Sequence, residues 1–138
     1  GIVGTGSIGM ETARLFKAFG ANLIGYNRTE KDKAKELGLE YVSLDELMAN
    51  SDIISLHLPL NDETKNTISR EKLEMMKDSA VLINAARGPI VDNDALAELL
   101  NDGKIAGAGI DVSMVARAHI AFDNVVKFIE GNPQNIIK

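Results

Sequence analysis

Three glycines stand in one six-residue run, Gly4-Thr5-Gly6-Ser7-Ile8-Gly9, directly after the apolar pair Ile2-Val3. Between a strand and a helix this spacing has a chemical use. Gly4 permits a tight turn, Gly6 lets the backbone approach a pyrophosphate, and Gly9 lets the helix pack closely on the strand. The helix N-terminus then offers free N–H groups and the positive end of its dipole to phosphate oxygens. A glycine-rich turn that holds no ligand is the alternative. At position 27, where a residue that reads an adenosine ribose belongs, stands Asn27 and not an acid. Arg28 and Thr29 follow it, with Lys31 and Lys33 nearby. Without a carboxylate nothing repels a 2′-phosphate, and a guanidinium grips such a phosphate bidentately, so NADP(H) is favoured over NAD(H). Otherwise Asn27 simply hydrogen-bonds an unphosphorylated ribose and Arg28 is solvated.

These residues need a scaffold, and the hydrophobic pattern supplies one. Short apolar runs alternate with stretches of helical period. Strands are expected at Ile2-Val3, Asn22 to Tyr26, Glu40 to Val42, Asp52 to Leu56, Ala80 to Ile83 and Gly107 to Val112. Ile8, Thr12, Leu15, Phe16 and Phe19 recur at three- and four-residue steps and predict the buried face of the first helix, which Gly20 ends. Thr29 is expected to cap a polar helix running to Gly38. Ser43-Leu44-Asp45-Glu46 is a capping-box signature for the next. Ser69 opens a helix through Met76, and Leu96, Leu99 and Leu100 mark one stopped at Gly103. A closing helix carries Met114, Ala118, Ala121, Phe122, Val125 and Ile129 on one face and stops at Gly131. Six strands alternating with helices predict an α/β fold, a doubly wound parallel sheet in one domain. In such a sheet ligands bind beyond the carboxyl ends of the strands, where strand order reverses. The fourth strand runs into His57-Leu58-Pro59-Leu60 and the fifth into Asn84-Ala85-Ala86-Arg87-Gly88, so both clusters fall at that end.

Composition narrows the function classes. The 138 residues carry 15 Lys and Arg against 20 Asp and Glu, a net charge of −5. That is a poor footprint for a nucleic acid or an anionic membrane surface, and neither partner is expected. No apolar run approaches the ~18–20 residues of a membrane span, and no basic-then-apolar leader is present. The absence of cysteine removes disulfides, thiolate zinc sites and cysteine nucleophiles together, and no metal site is expected. A soluble, cytoplasmic protein fits these features. The chain opens inside a strand with no initiator Met, which suggests a piece of a longer protein.

Taken in order, GTGSIG at 4–9, HLPL at 57–60, NAARGPIVD at 84–92 and GAGIDV at 107–112 resemble the signatures of the D-isomer-specific 2-hydroxyacid dehydrogenases, specifically their coenzyme-binding, Rossmann-type domain. The stretch 114–135 is similar to that family's closing helix and tail. The resemblance covers essentially the whole chain. It implies hydride transfer between a nicotinamide cofactor, NAD(P), and a small 2-oxo or 2-hydroxy acid. Arg87 matches the family's catalytic arginine, which binds the substrate carboxylate and polarises the 2-oxo group. A planar fork suits a carboxylate, and a fixed cation stabilises charge on the carbonyl oxygen. The alternative for Arg87 is a structural ion pair with Asp92 or Asp111. By the same resemblance Thr5, Ser7 and Ile8 touch the pyrophosphate and adenosine side. Leu58, Pro59 and Ala85 line the nicotinamide half, Asp111 accepts from its carboxamide, and His57 faces the cofactor ribose. Read without the family, His57 is a proton donor. The parent family implies a homodimer formed through the coenzyme domain.

The departures from the pattern matter as much. In the family a glutamate shortly after GAGIDV and a histidine on the next strand complete the site, the histidine as general acid and base. Here Val112 is followed by Ser113 and at once by the closing helix. A gap in the chain is therefore expected between residues 112 and 114. His119 lies too soon after Asp111 to replace the missing histidine and reads as an exposed helical residue. The family's substrate domain is absent from the sequence as well. The expected outcome is a chain that binds the dinucleotide but is catalytically incomplete. The alternative is a non-enzymatic, NAD(H)-sensing interaction module on the same fold. A retained Arg87 favours the enzyme, since a sensor has no need of a carboxylate clamp.

Overall fold

The structure is a computed structural model that describes residues 1–110. Its six strands are β1 (Ile2–Val3), β2 (Ile24–Tyr26), β3 (Glu40–Tyr41), β4 (Ile53–Leu56), β5 (Val81–Asn84) and β6 (Gly107–Ile110). Five α-helices alternate with them: α1 (Ser7–Ala18), α2 (Asp32–Glu36), α3 (Leu44–Asn50), α4 (Arg70–Glu74) and α5 (Asn93–Asn101). Every pairing is parallel, and the strand order is β3-β2-β1-β4-β5-β6. The chain thus winds outward from β1 in both directions, and the order reverses between β1 and β4. That is the doubly wound sheet the alternation predicts.

Successive strand residues face opposite sides, and the two-residue β1 shows it. Val3 joins a cluster with Ile54, Leu56 and Leu82 from the sheet, Leu47 and Met48 from α3, Leu73 from α4 and Leu96 from α5. Ile2 joins a second cluster with Leu23, Leu39, Ala13 of α1 and Ala34 of α2. Helices therefore cover both faces, and the site at the strand ends sits on two packed layers.

The rotation of α1 differs from the one predicted. Ile8, Leu15 and Phe19 are 73%, 48% and 87% exposed, whereas Gly9 and Ala13 are buried and Thr12 and Phe16 half-buried. Backbone contact, not side-chain bulk, chooses the face. A Cβ at Gly9 would lie 2.0 Å from the Gly4 carbonyl oxygen, so α1 is turned with its glycine against the strand end. Once Gly9 is inward, Ala13 one turn later must be inward too. The apolar stripe at 8, 15 and 19 is left on the outside.

Other boundaries shift for local reasons. Thr29 does not cap α2, because its carbonyl accepts a 2.6 Å bond from Asn27 Nδ2 and the helix starts only at Asp32. Ser43 behaves as predicted: its hydroxyl accepts from Glu46 N at 3.2 Å and Glu46 Oε2 accepts from Ser43 N at 2.9 Å. Ser69 precedes α4 but gives its proton to Glu71 Oε2 and caps no backbone N–H. A 3₁₀ turn at Gly88–Ile90, not foreseen from the pattern, follows Arg87. The closing helix and the connection from 112 to 114 lie outside the described residues.

Candidate functional site

The carboxyl ends of β1 and β4 meet at the reversal of strand order. His57 N donates to Val3 O at 2.7 Å and Gly4 N donates to Tyr26 O at 2.8 Å, which ties the ends of β4, β1 and β2 together. Gly4 turns out of the sheet at φ +96°, and a Cβ there would lie 2.9 Å from the His57 carbonyl. Only a residue without a side chain fits both demands. Gly6 is different, for a Cβ on it would meet nothing within 4 Å. It is the N-cap of α1, which has no side-chain cap and no acidic residue in its first turn. By contrast α3 and α5 are capped by Ser43 and Asp92. Among the described residues the first turn of α1 thus keeps unpaired N–H groups and a positive dipole end beside open space, which suits an anionic phosphate. Ser7 and Ile8 stand exposed beside it. These features are what a dinucleotide pyrophosphate requires of a protein, so the residues present fit that group.

Thr5 contributes in another way. It is fully buried, and its hydroxyl shares a 2.7 Å hydrogen bond with the Tyr41 phenol at the end of β3. The same phenol accepts from Lys31 N at 3.1 Å. The Thr5 hydroxyl is therefore engaged with protein groups and braces the turn from beneath. Asn27 is likewise occupied: Oδ1 accepts from Thr5 N at 3.3 Å and Nδ2 donates to Thr29 O at 2.6 Å. It braces the two loops and presents no carboxylate. Arg28 and Thr29 are exposed beyond it. Arg28 is not merely solvated, since its Nη1 lies 2.5 Å from Glu63 Oε2 in the loop after β4.

On the other side of the reversal, His57 is half-buried with Nε2 2.9 Å from Ser55 Oγ. Burial lowers its pKa from the ordinary 6.5, so the ring is neutral at pH 7. Leu58 is half-buried, and Pro59 and Ala85 are exposed at the strand ends. Arg87 is exposed, and Nη1 donates to Ala86 O at 2.7 Å. Among the described residues it makes no ion pair. Asp92 is not its partner, because the Asp92 carboxylate accepts from Ala95 N to cap α5. Asp111 and His119 lie outside the described residues.

Four residues that sequence reasoning did not single out hold this arrangement. Tyr41 braces Thr5, Ser55 holds His57, and Glu63 pairs with Arg28. Asn84, 1% exposed, donates to Arg87 O at 2.9 Å and accepts from Ala86 N at 3.1 Å, which shapes the loop carrying Arg87. Only Asn84 left a local signal: an Asn at a strand end that bonds the backbone two residues on is ordinary turn chemistry. The described residues include no group of acidic or histidine side chains placed to hold a metal ion, and no helix long and apolar enough to cross a membrane.

Comparison with known proteins bears on the same surface. A D-lactate dehydrogenase of Treponema pallidum is 45% identical over 124 residues, covering 90% of this chain and 37% of that protein. A glyoxylate reductase of Thermococcus litoralis is 50% identical over 113 residues, covering 81% of this chain and 34% of its own length. The chain spans about a third of the length of these relatives. Among solved structures, the D-lactate dehydrogenase of Aquifex aeolicus complexed with NAD and lactic acid superposes with a TM-score of 0.78 at 41% identity, over 96% of this chain and 39% of that one. The family described as "D-isomer specific 2-hydroxyacid dehydrogenase, NAD binding domain" matches residues 1–126. With its glycine turn, its strand order and its Arg87 loop at one end of the sheet, the chain belongs to the NAD-binding domain of the D-isomer specific 2-hydroxyacid dehydrogenases.

Proposed function

We propose that this chain is the coenzyme-binding part of a reductase for small 2-oxo acids, that NADP(H) is preferred over NAD(H), and that the parent works as a cytoplasmic homodimer. The observation that carries the proposal is the uncapped, unobstructed N-terminus of α1 facing the junction of β1 and β4. When bound, the nicotinamide supplies or accepts the hydride. The residues of this chain do the remaining work. Backbone N–H groups at Ser7, Ile8 and Gly9 hold the pyrophosphate, and Gly6 clears its approach. Arg28 and Thr29 take the adenosine end, where a neutral Asn27 leaves a 2′-phosphate unopposed. His57, Leu58, Pro59 and Ala85 line the nicotinamide side, with Asp111 following β6. Arg87 forks onto the substrate carboxylate and stabilises negative charge on the 2-oxo oxygen. The exposed apolar stripe of Ile8, Leu15 and Phe19 supports an assembled parent.

The catalytic set is incomplete in this sequence, because neither the family's glutamate nor its strand histidine follows Val112. A missing general acid costs ~10²–10⁴ in rate. The test is to titrate NADPH by fluorescence and then add glyoxylate or hydroxypyruvate while following absorbance of the reduced cofactor. Saturable binding without sustained oxidation is expected. Failure to bind either NADPH or NADH would overturn the proposal, and steady oxidation above a no-protein control would overturn the incomplete catalytic set.

A further inference from the structure

The Arg28–Glu63 pair joins two loops that are 35 residues apart in the chain and flank the adenosine end of the site. We infer that Glu63 determines dinucleotide specificity: by holding the Arg28 guanidinium it sets how far a 2′-phosphate is favoured over a ribose hydroxyl. The inference rests on the reading of Arg28 as the 2′-phosphate grip and extends it to a residue that reading did not include.

Glu63 is placed by its loop. Asn61 Oδ1 accepts from Glu63 N at 3.0 Å and from Thr64 N at 2.9 Å, and Thr64 Oγ1 donates to Pro59 O at 2.5 Å. The turn is therefore shaped by its own side chains and tied back to the residue that follows Leu58. Arg28 is held at the opposite wall by the Asn27 brace to Thr5 and Thr29. Between these walls the guanidinium and the carboxylate meet with side chains 82% and 72% exposed. An exposed pair of this kind is weak and opens readily. Of the cations Arg28, Lys31 and Lys33, Arg28 alone has a carboxylate partner among the described residues. A 2′-phosphate must then take the guanidinium out of its pair with Glu63, and breaking that pair is the penalty it meets. A ribose hydroxyl carries no charge and meets no such penalty. Glu63 thus lowers a preference that Arg28 creates, and it acts on NADPH and not on NADH.

The experiment is a double-mutant cycle on the purified protein. Wild type, Glu63→Gln, Arg28→Ala and the double variant are titrated with NADPH and with NADH by fluorescence at one ionic strength. Glu63→Gln is expected to tighten NADPH by about two- to five-fold while NADH changes by less than about 1.5-fold, a contrast that misfolding does not produce. In the Arg28→Ala background the same substitution is expected to change NADPH by less than about two-fold. An unchanged NADPH-to-NADH ratio in Glu63→Gln, with Arg28→Ala still weakening NADPH, would overturn the inference and leave the cofactor reading intact. Equal tightening in both backgrounds would overturn it too, because Glu63 would then act by its field alone. If Arg28→Ala leaves NADPH unchanged, the cofactor reading fails and the inference goes with it.

Discussion

Gly6 and Gly9 belong to one motif, yet the proposed function gives them separable duties, and alanine at each should show it. At Gly9 a Cβ would sit 2.0 Å from the Gly4 carbonyl oxygen and 3.1 Å from its carbonyl carbon. Ordinary C···O contacts are about 3.3 Å, so α1 must retreat from β1 by roughly 1 Å. Both contacting groups are backbone and cannot rotate away. The retreat loosens Ala13, which has no exposed surface, and overpacking of this sort costs about 3 kcal/mol or more. For a domain of this size that is a fall in Tm on the order of 10 °C. At Gly6 the outcome is different. Its φ of −69° and ψ of −172° suit any residue, and the added Cβ meets no atom. Alanine is the poorer N-cap by up to ~1 kcal/mol but restricts the unfolded chain by ~0.4–1 kcal/mol, so stability changes little. The methyl group instead occupies the open space through which the pyrophosphate is proposed to approach, and affinity should fall ten-fold or more, about 1.4 kcal/mol. Thermal melts with and without NADPH separate the two effects. A Gly9→Ala variant that melts within about 2 °C of wild type, or a Gly6→Ala variant with undiminished affinity, would refute this division of labour.

Three further outcomes follow from the same geometry. Tyr41→Phe strands the buried Thr5 hydroxyl and should cost about 1–3 kcal/mol in urea unfolding, while the Thr5→Val/Tyr41→Phe double variant recovers part of the loss because both partners are gone. Ser43→Ala removes the cap of α3 and should cost about 1 kcal/mol with no effect on dinucleotide affinity. Burial holds His57 below its ordinary pKa of 6.5, so the unfolded chain binds its proton first; the stabilisation is complete above 6.5 and is lost as pH falls through the lowered folded value. Replacing His57 by Gln should flatten that part of the stability–pH curve, and an unchanged slope would count against the buried, neutral ring.

What could be read from the sequence was what depends on neighbours a few residues apart. The glycine run, the Ser43–Glu46 box and the alternation of apolar runs with helical periods are short-range patterns. Each implies one local conformation, and the sum of them implies a parallel sheet with helices on both faces. The strand-end positions of His57 and Arg87 follow from the same alternation. Tertiary structure decided the rest. Five apolar or small residues at helical spacing proposed one face of α1, but the 2.0 Å approach between Gly9 and the Gly4 carbonyl selected another. Tyr41 meets Thr5 across 36 residues and Arg28 meets Glu63 across 35. No periodicity encodes such pairs. They exist because parallel register places the ends of β3, β2, β1 and β4 side by side, and only the folded sheet sets which loop reaches which. The residue types at this site were thus legible in the chain, while their partners depended on how the strands line up.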